Sequence, residues 1–145
     1  MYFVDREKIE EILVFMNDQL SLLHNQSGWE STIEKLALER IGHTLIESVL
    51  DVGNSMIDGF IMRDPGSYED IIDILLDEKV INEGMSKDLK RLIEQRKVLV
   101  QEYTNVNHEA LQRILHDVRS TLEQFPVHVR SYLENELGPV SAFKN

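Results

Sequence analysis

Apolar residues recur along most of this chain at steps of three and four, the spacing that gathers them on one face of an α-helix. Ile9, Leu13, Met16, Leu20 and Leu23 form the first such stripe. Asp5 stands before it as an expected N-cap, and Ser27-Gly28 marks its end. Ser31 with Glu34 predicts a capping box that opens a second helix. The stripe of that helix runs through Leu38, Ile41, Leu45, Val49, Val52, Met56 and Phe60, about thirty residues in all and long for a globular protein. Gly42, Ser48, Gly53 and Ser55 lie inside it. The two glycines cost helix propensity, so their expected benefit is close approach of another helix, from the same chain or from a second copy.

Asp64-Pro65-Gly66 is a turn signal, and Ser67 with Asp70 repeats the capping pattern ahead of Ile71, Ile74 and Leu75. A fourth helix is expected to begin near Ser86 and to carry Leu89, Leu92, Ile93, Val98 and Leu99. Thr104 to Asn107 is a polar break, with Asn107 the expected N-cap of a fifth helix. Leu111, Ile114, Leu115, Val118, Leu122 and Phe125 give that helix its inner face. Pro126 is expected to kink or end it, and a last helical stretch from Val127 to Leu137 to stop at Gly138-Pro139. No segment alternates at period two with β-branched enrichment, so no sheet is expected. The predicted fold is all-α: an antiparallel bundle of about five helices, forming a single domain over residues 1–145.

Composition agrees with an ordinary globular chain, with hydrophobic residues at 42% and charged residues at 28% of the 145. There is no cysteine, which removes disulfide frameworks and thiolate metal sites. The longest apolar run, Ile12 to Met16, is far too short to cross a membrane, and the N-terminus is charged from residue 5 rather than built like a signal peptide. A cytoplasmic protein is therefore the expectation, with no membrane partner. The formal net charge of −11 argues against broad attraction to nucleic acid. It leaves room for a local basic site. Between Lys87 and Lys97 five basic side chains stand against Asp88 and Glu94. A solvated helix face is the plainer explanation of that window, and a phosphate-facing one the sharper.

Five histidines invite metal or acid–base readings, and the spacings support few of them. Glu-x-x-His, which a ferritin-like di-iron bundle repeats, is absent, as is the His-Glu-x-x-His of zinc proteases. Glu39, His43 and Glu47 fall four apart on one helix face and could meet a metal, but a histidine hydrogen-bonded between two carboxylates accounts for them better. No Gly-rich loop precedes a helix in a way that would cradle phosphate. His24, His108, His116 and His128 have no fixed-spacing partner that lifts them above surface or capping roles. Neither a metal nor a cofactor is expected.

What remains is Arg96-Lys97-Val98-Leu99-Val100-Gln101-Glu102-Tyr103. It resembles the Arg-x4-His-x-Tyr signature of the HepT-like family, a branch of the all-helical HEPN superfamily. LALERIGHTLIESVLDVGNSMI resembles the family's second helix, with Glu39, Arg40, Glu47 and Asp51 at familiar polar positions, and DPGSYEDIIDILLDEKVI resembles its Pro-x-Ser-Tyr helix. Agreement in order and spacing covers about residues 5 to 125. The resemblance implies a homodimeric, metal-independent endoribonuclease of the toxin–antitoxin type, with RNA as substrate. It also implies a small nucleotidyltransferase-like antitoxin that adenylylates the motif tyrosine, here Tyr103. The chemistry is coherent: an arginine holds phosphate, a histidine moves protons near neutral pH, and RNA supplies its own 2′-hydroxyl nucleophile.

Arg96 and Tyr103 match the motif, while Lys97 replaces its asparagine, Gln101 its histidine and Asn107 the acid that follows. Gln101 is the serious change. An amide cannot exchange a proton at neutral pH, and loss of a general acid–base group costs on the order of 10²- to 10⁴-fold in rate. Arg96 and Lys97 are the expected RNA-binding residues, and Arg96 with position 101 the expected catalytic pair. The expectation is a protein whose ribonuclease activity is weak or lost. Two alternatives stay open. His108, seven residues past Gln101, could supply the proton to an active enzyme if the connecting turn folds back. A non-catalytic dimeric interaction module is the other, with Arg96 merely paired to Glu47 or Asp51 and Tyr103 a packing residue.

Overall fold

The computed structural model describes residues 2–138. Helix α1 spans Arg6–Asn25, α2 Thr32–Gly59, α3 Tyr68–Asp77, α4 Glu83–Ile93, α5 Gln95–Gln101, α6 His108–Asp117 and α7 Arg119–Leu137. A 3-10 turn at Tyr103–Asn105 joins α5 to α6, and there is no strand among the described residues. The all-α expectation holds. The caps fall where the side chains predict them. Asp5 accepts from the Lys8 amide, Ser67 from Asp70 and Asn107 from Ala110. Ser31 and Glu34 satisfy each other's backbone donors in a complete capping box.

Helix α2 is the axis of the bundle. At 28 residues it is about 42 Å long, at 1.5 Å per residue. It is touched by α1, α3, α5 and α6, while α7 closes against α1 and α4. Gly42 and Gly53 serve neighbours in the same chain. A Cβ on Gly42 would lie 3.3 Å from Leu111 of α6 and 3.7 Å from Leu99 of α5, and one on Gly53 would lie 2.5 Å from Ile71 of α3. Around α2 a contiguous core runs from Val4 to Leu133, with Ile9, Leu13, Met16, Leu45, Leu89, Leu122 and Phe125 fully enclosed.

Two boundaries differ from the sequence expectation. The fourth helix begins at Glu83, not near Ser86, because Asn82 caps it by accepting the Met85 amide 2.9 Å away. It then steps at Glu94, whose backbone remains right-handed helical (φ −56, ψ −28). The fifth helix is interrupted at Val118 rather than at Pro126, which lies buried inside α7. Proline removes one ladder hydrogen bond, but Phe125, Val129 and Leu133 are buried on that same helix, and their packing carries it through. The last helix does end at Gly138, which takes φ 84; Pro139 lies outside the described residues. Arg6 donates to the Gly138 carbonyl at 2.9 Å, tying the start of α1 to the end of α7.

Candidate functional site

Four polar residues of α2, Glu39, His43, Glu47 and Asp51, recur every fourth position and so form a ridge along one helix face. The absence of a side chain at Gly42 lets α5 and α6 come down beside that ridge, and each brings a cation or imidazole to it. From α5, Arg96 donates through Nε to Glu47 Oε1 at 2.6 Å. From α6, His108 Nε2 lies 2.7 Å from Glu39 Oε2. His43 Nε2 makes a looser contact, 3.4 Å, with the same Glu47 oxygen that Arg96 holds. Two nitrogens at 2.6 and 3.4 Å from one oxygen can be no more than 6.0 Å apart. The carboxylate of Glu47 thus gathers a guanidinium and an imidazole into one cluster.

Arg96 is held on a second side. Its guanidinium carbon sits 4.4 Å from the ring centroid of Tyr68, the first residue of α3. With Nε bound and one face stacked, the terminal nitrogens make no hydrogen bond among the described residues, and the side chain is 25% exposed. Such an arginine is oriented yet still has its forked edge to offer to a phosphate. Asp51, one turn further along, is pushed above the ordinary carboxylate pKa by partial burial and then by the nearby Glu47 charge; Lys8 and Arg96 oppose the shift.

The remaining motif residues face outward. Gln101 is exposed and makes no side-chain hydrogen bond among the described residues. It is five residues after Arg96, about 140° around an ideal helix, so one chain does not present both side chains on one face. Tyr103, in the 3-10 turn, is 66% exposed. Lys97 Nζ lies 3.9 Å from Glu102 and is largely solvated.

The basic window is not a free positive patch. Lys90 pairs with Asp73 of α3, Arg91 with Asp117 of α6 and Arg96 with Glu47 of α2. Glu39 and Glu47 are each turned toward a cross-helix partner. Accordingly no three metal-ligating side chains converge among the described residues. Of the other histidines, His24 and His116 line a small cleft between α1 and α6 with Trp29 and Gln112, and burial lowers the His24 pKa. His128 Nδ1 lies 3.3 Å from the Val80 carbonyl oxygen.

The family resemblance points to Arg96, and helix spacing to Glu47 and the α2 ridge, but neither finds Tyr68 as the platform under Arg96. From the sequence, His108 is an alternative that depends on the connecting turn folding back. His108 does fold back onto α2, but onto Glu39, eight residues and about 12 Å along the axis from the carboxylate that holds Arg96.

A long, capped central helix packed among the other helices, with an arginine on the helix that precedes an exposed tyrosine, is the arrangement expected of a HEPN-type helical protein. The comparisons agree: the family model described as "Ribonuclease HepT-like" matches residues 6–129, and the chain belongs to the HepT-like family. It is 58% identical over 144 residues to "Putative RNase YutE" of Bacillus subtilis (strain 168), covering 99% of this chain and all of that one. The solved structure of B. subtilis YutE, described as a cytosolic protein of unknown function, superposes with a TM-score of 0.95 over 99% of this chain and 100% of that one. The tri-AMPylated HEPN toxin of Shewanella oneidensis, solved in complex with its MNT antitoxin, is 16% identical and superposes with a TM-score of 0.75 over 85% of this chain and 96% of that one. That last likeness is one of fold. No helix among the described residues is long and apolar enough to cross a membrane.

Proposed function

We propose that this protein is a cytoplasmic HepT-like homodimer of the toxin–antitoxin type that binds RNA through Arg96, with Lys97 at the rim. Its metal-independent ribonuclease activity is far below that of members carrying the motif histidine. The observation that carries this reading is the state of Arg96: oriented by Glu47 and Tyr68, with its terminal nitrogens uncommitted. Gln101 occupies the position of the family's proton-transfer group and cannot exchange a proton. Tyr103 is exposed enough to be modified, and a nucleotidyltransferase-like antitoxin that adenylylates it is the natural partner. Apolar exposure at Tyr68, which stacks on Arg96, and at Val100 and Tyr103 further along the same segment as Arg96 fits a site completed by a second copy.

Purified protein incubated with a labelled single-stranded RNA in chelator decides the matter. The expected result is RNA binding that Arg96→Ala removes, accompanied by slow cleavage. Rapid cleavage, or binding indifferent to Arg96→Ala, overturns the reading; the second result assigns the fold to a protein-interaction role.

A further inference from the structure

We propose that His43, on α2, is the proton-transfer residue of this site and carries the residual cleavage in place of Gln101. The inference rests on the reading of Arg96 as the phosphate-binding residue. Three observations lead to it. Among the described residues His43 is the one imidazole that shares a carboxylate oxygen with Arg96, which limits the separation of Arg96 Nε and His43 Nε2 to 6.0 Å from contacts of 2.6 and 3.4 Å. A phosphodiester bound at the terminal nitrogens of Arg96 is thus placed on the same part of the α2 ridge as His43. The side chain is 30% exposed, so substrate can approach it without opening the core. Finally, the Glu47 carboxylate faces His43 Nε2 at 3.4 Å, a charge contact without a formed hydrogen bond. A negative charge there favours the tautomer with the proton on Nε2, leaves Nδ1 as the acceptor, and stabilises the imidazolium once formed.

The step balances without a metal. Nδ1 of His43 takes the proton of a ribose 2′-hydroxyl, and the 2′-oxygen forms a bond to the adjacent phosphorus. The bond from that phosphorus to the 5′-oxygen of the next nucleotide breaks, and the departing oxygen takes a proton from water. The products are a 2′,3′-cyclic phosphate and a 5′-hydroxyl end. Arg96 stabilises the charge that builds on the phosphorane oxygens. His108 is not equivalent. Its carboxylate partner is two helical turns away, and no contact links it to Arg96.

The test compares His43→Gln, His108→Gln and Arg96→Ala with the unsubstituted protein. Each is given the same single-stranded RNA in chelator, with binding and cleavage measured separately. Glutamine at 43 keeps a donor for Glu47 but cannot exchange a proton. His43→Gln is expected to lower cleavage by on the order of 10²-fold or more. RNA affinity should stay within about twofold and the melting temperature unchanged. His43→Gly should regain cleavage on adding free imidazole, and Gln101→His should raise the rate of the unsubstituted protein. Cleavage that survives His43→Gln, or that falls with His108→Gln instead, overturns the proposal. So does an unsubstituted protein that binds RNA through Arg96 without cleaving it. In that last case the reading of Arg96 stands and only the role of His43 fails; loss of Arg96-dependent binding would sink the reading beneath it.

Discussion

Replacing Glu47 by glutamine separates two effects that the site combines. The carboxylate orients Arg96, yet it also sets a negative charge close to where an RNA phosphate must sit. Glutamine retains an oxygen that can accept from Arg96 Nε, so most of the orientation survives and the charge is removed. The loss in stability should be modest. Arg96 is 25% and Glu47 32% exposed, and a partly solvated ion pair of this kind contributes about 1 kcal/mol or less. That corresponds to a fall of about 2–4 °C in melting temperature for a chain of this size.

The effect on RNA is of similar size and opposite sign. Two like charges about 6 Å apart repel by about 3 kcal/mol at an effective dielectric of about 20 and by under 1 kcal/mol in bulk water. With a third of the Glu47 side chain exposed, we take about 1 kcal/mol, which is about a fivefold gain in affinity. Cleavage should move the other way, because the imidazolium loses its stabilising charge; a drop of about tenfold or more is expected. The Asp51 carboxyl provides an internal check by NMR. Glu47 is the second of two causes that raise its pKa, so Glu47→Gln should bring it part of the way back down. Fluorescence anisotropy with labelled RNA reads the affinity, and gel analysis the cleavage. If Glu47→Gln weakens RNA binding as much as Arg96→Ala does, then Arg96 faces the protein rather than phosphate, and the site has been misread.

Three further predictions concern the fold that holds this site. Gly53→Ala should cost about 1–3 kcal/mol, since its Cβ would meet Ile71 Cγ2 at 2.5 Å; Gly42→Ala should be near neutral in urea unfolding, because its nearest neighbour is the mobile tip of Leu111 at 3.3 Å and helix propensity improves. Ile61 adopts φ 57 just after α2 while 69% exposed, so Ile61→Asn should raise the melting temperature by relieving about 1 kcal/mol of left-handed strain. Glu10 has its pKa lowered chiefly by the hydrogen bond from Arg130, so that pair stabilises the fold above the ordinary glutamate pKa and ceases to do so as pH falls through the lowered one. Arg130→Gln should accordingly cost up to about 1 kcal/mol at neutral pH, both side chains being well exposed, and the difference from the unsubstituted protein should vanish in acid unfolding once the pH is below the lowered Glu10 pKa.

Much of the fold is written in local chemistry. Asp5, Ser31, Ser67 and Asn107 each sit three residues before an amide that their side chain accepts, and such caps are legible from spacing alone. The glycines of α2 likewise announce close approach, although the spacing cannot tell a neighbour in the same chain from a second copy. The steps at Glu94 and Val118 have no glycine or proline to mark them. At Pro126 a breaker is present and the helix continues, because burial of the surrounding stripe outweighs one missing hydrogen bond. The site divides in the same way. Arg96 opposite Glu47 was one of two pairings foreseeable from helix faces. Tyr68 under Arg96 joins residues 28 apart on separate helices, and nothing in either local sequence points to the other.

The α2 ridge itself calls for an explanation beyond packing. A run of acidic and imidazole side chains along the most enclosed helix of a bundle opposes stability unless each finds a partner. Glu39 and Glu47 have theirs, reached across the bundle at 2.7 and 2.6 Å by His108 and Arg96. His43 sits between them with a loose 3.4 Å contact and no cross-helix partner among the described residues. An imidazole that the fold does not tie down, kept beside an oriented guanidinium, is accounted for by chemistry more simply than by architecture. On that view the Gln101 substitution moves the proton-transfer task from α5 to the central helix rather than abolishing it.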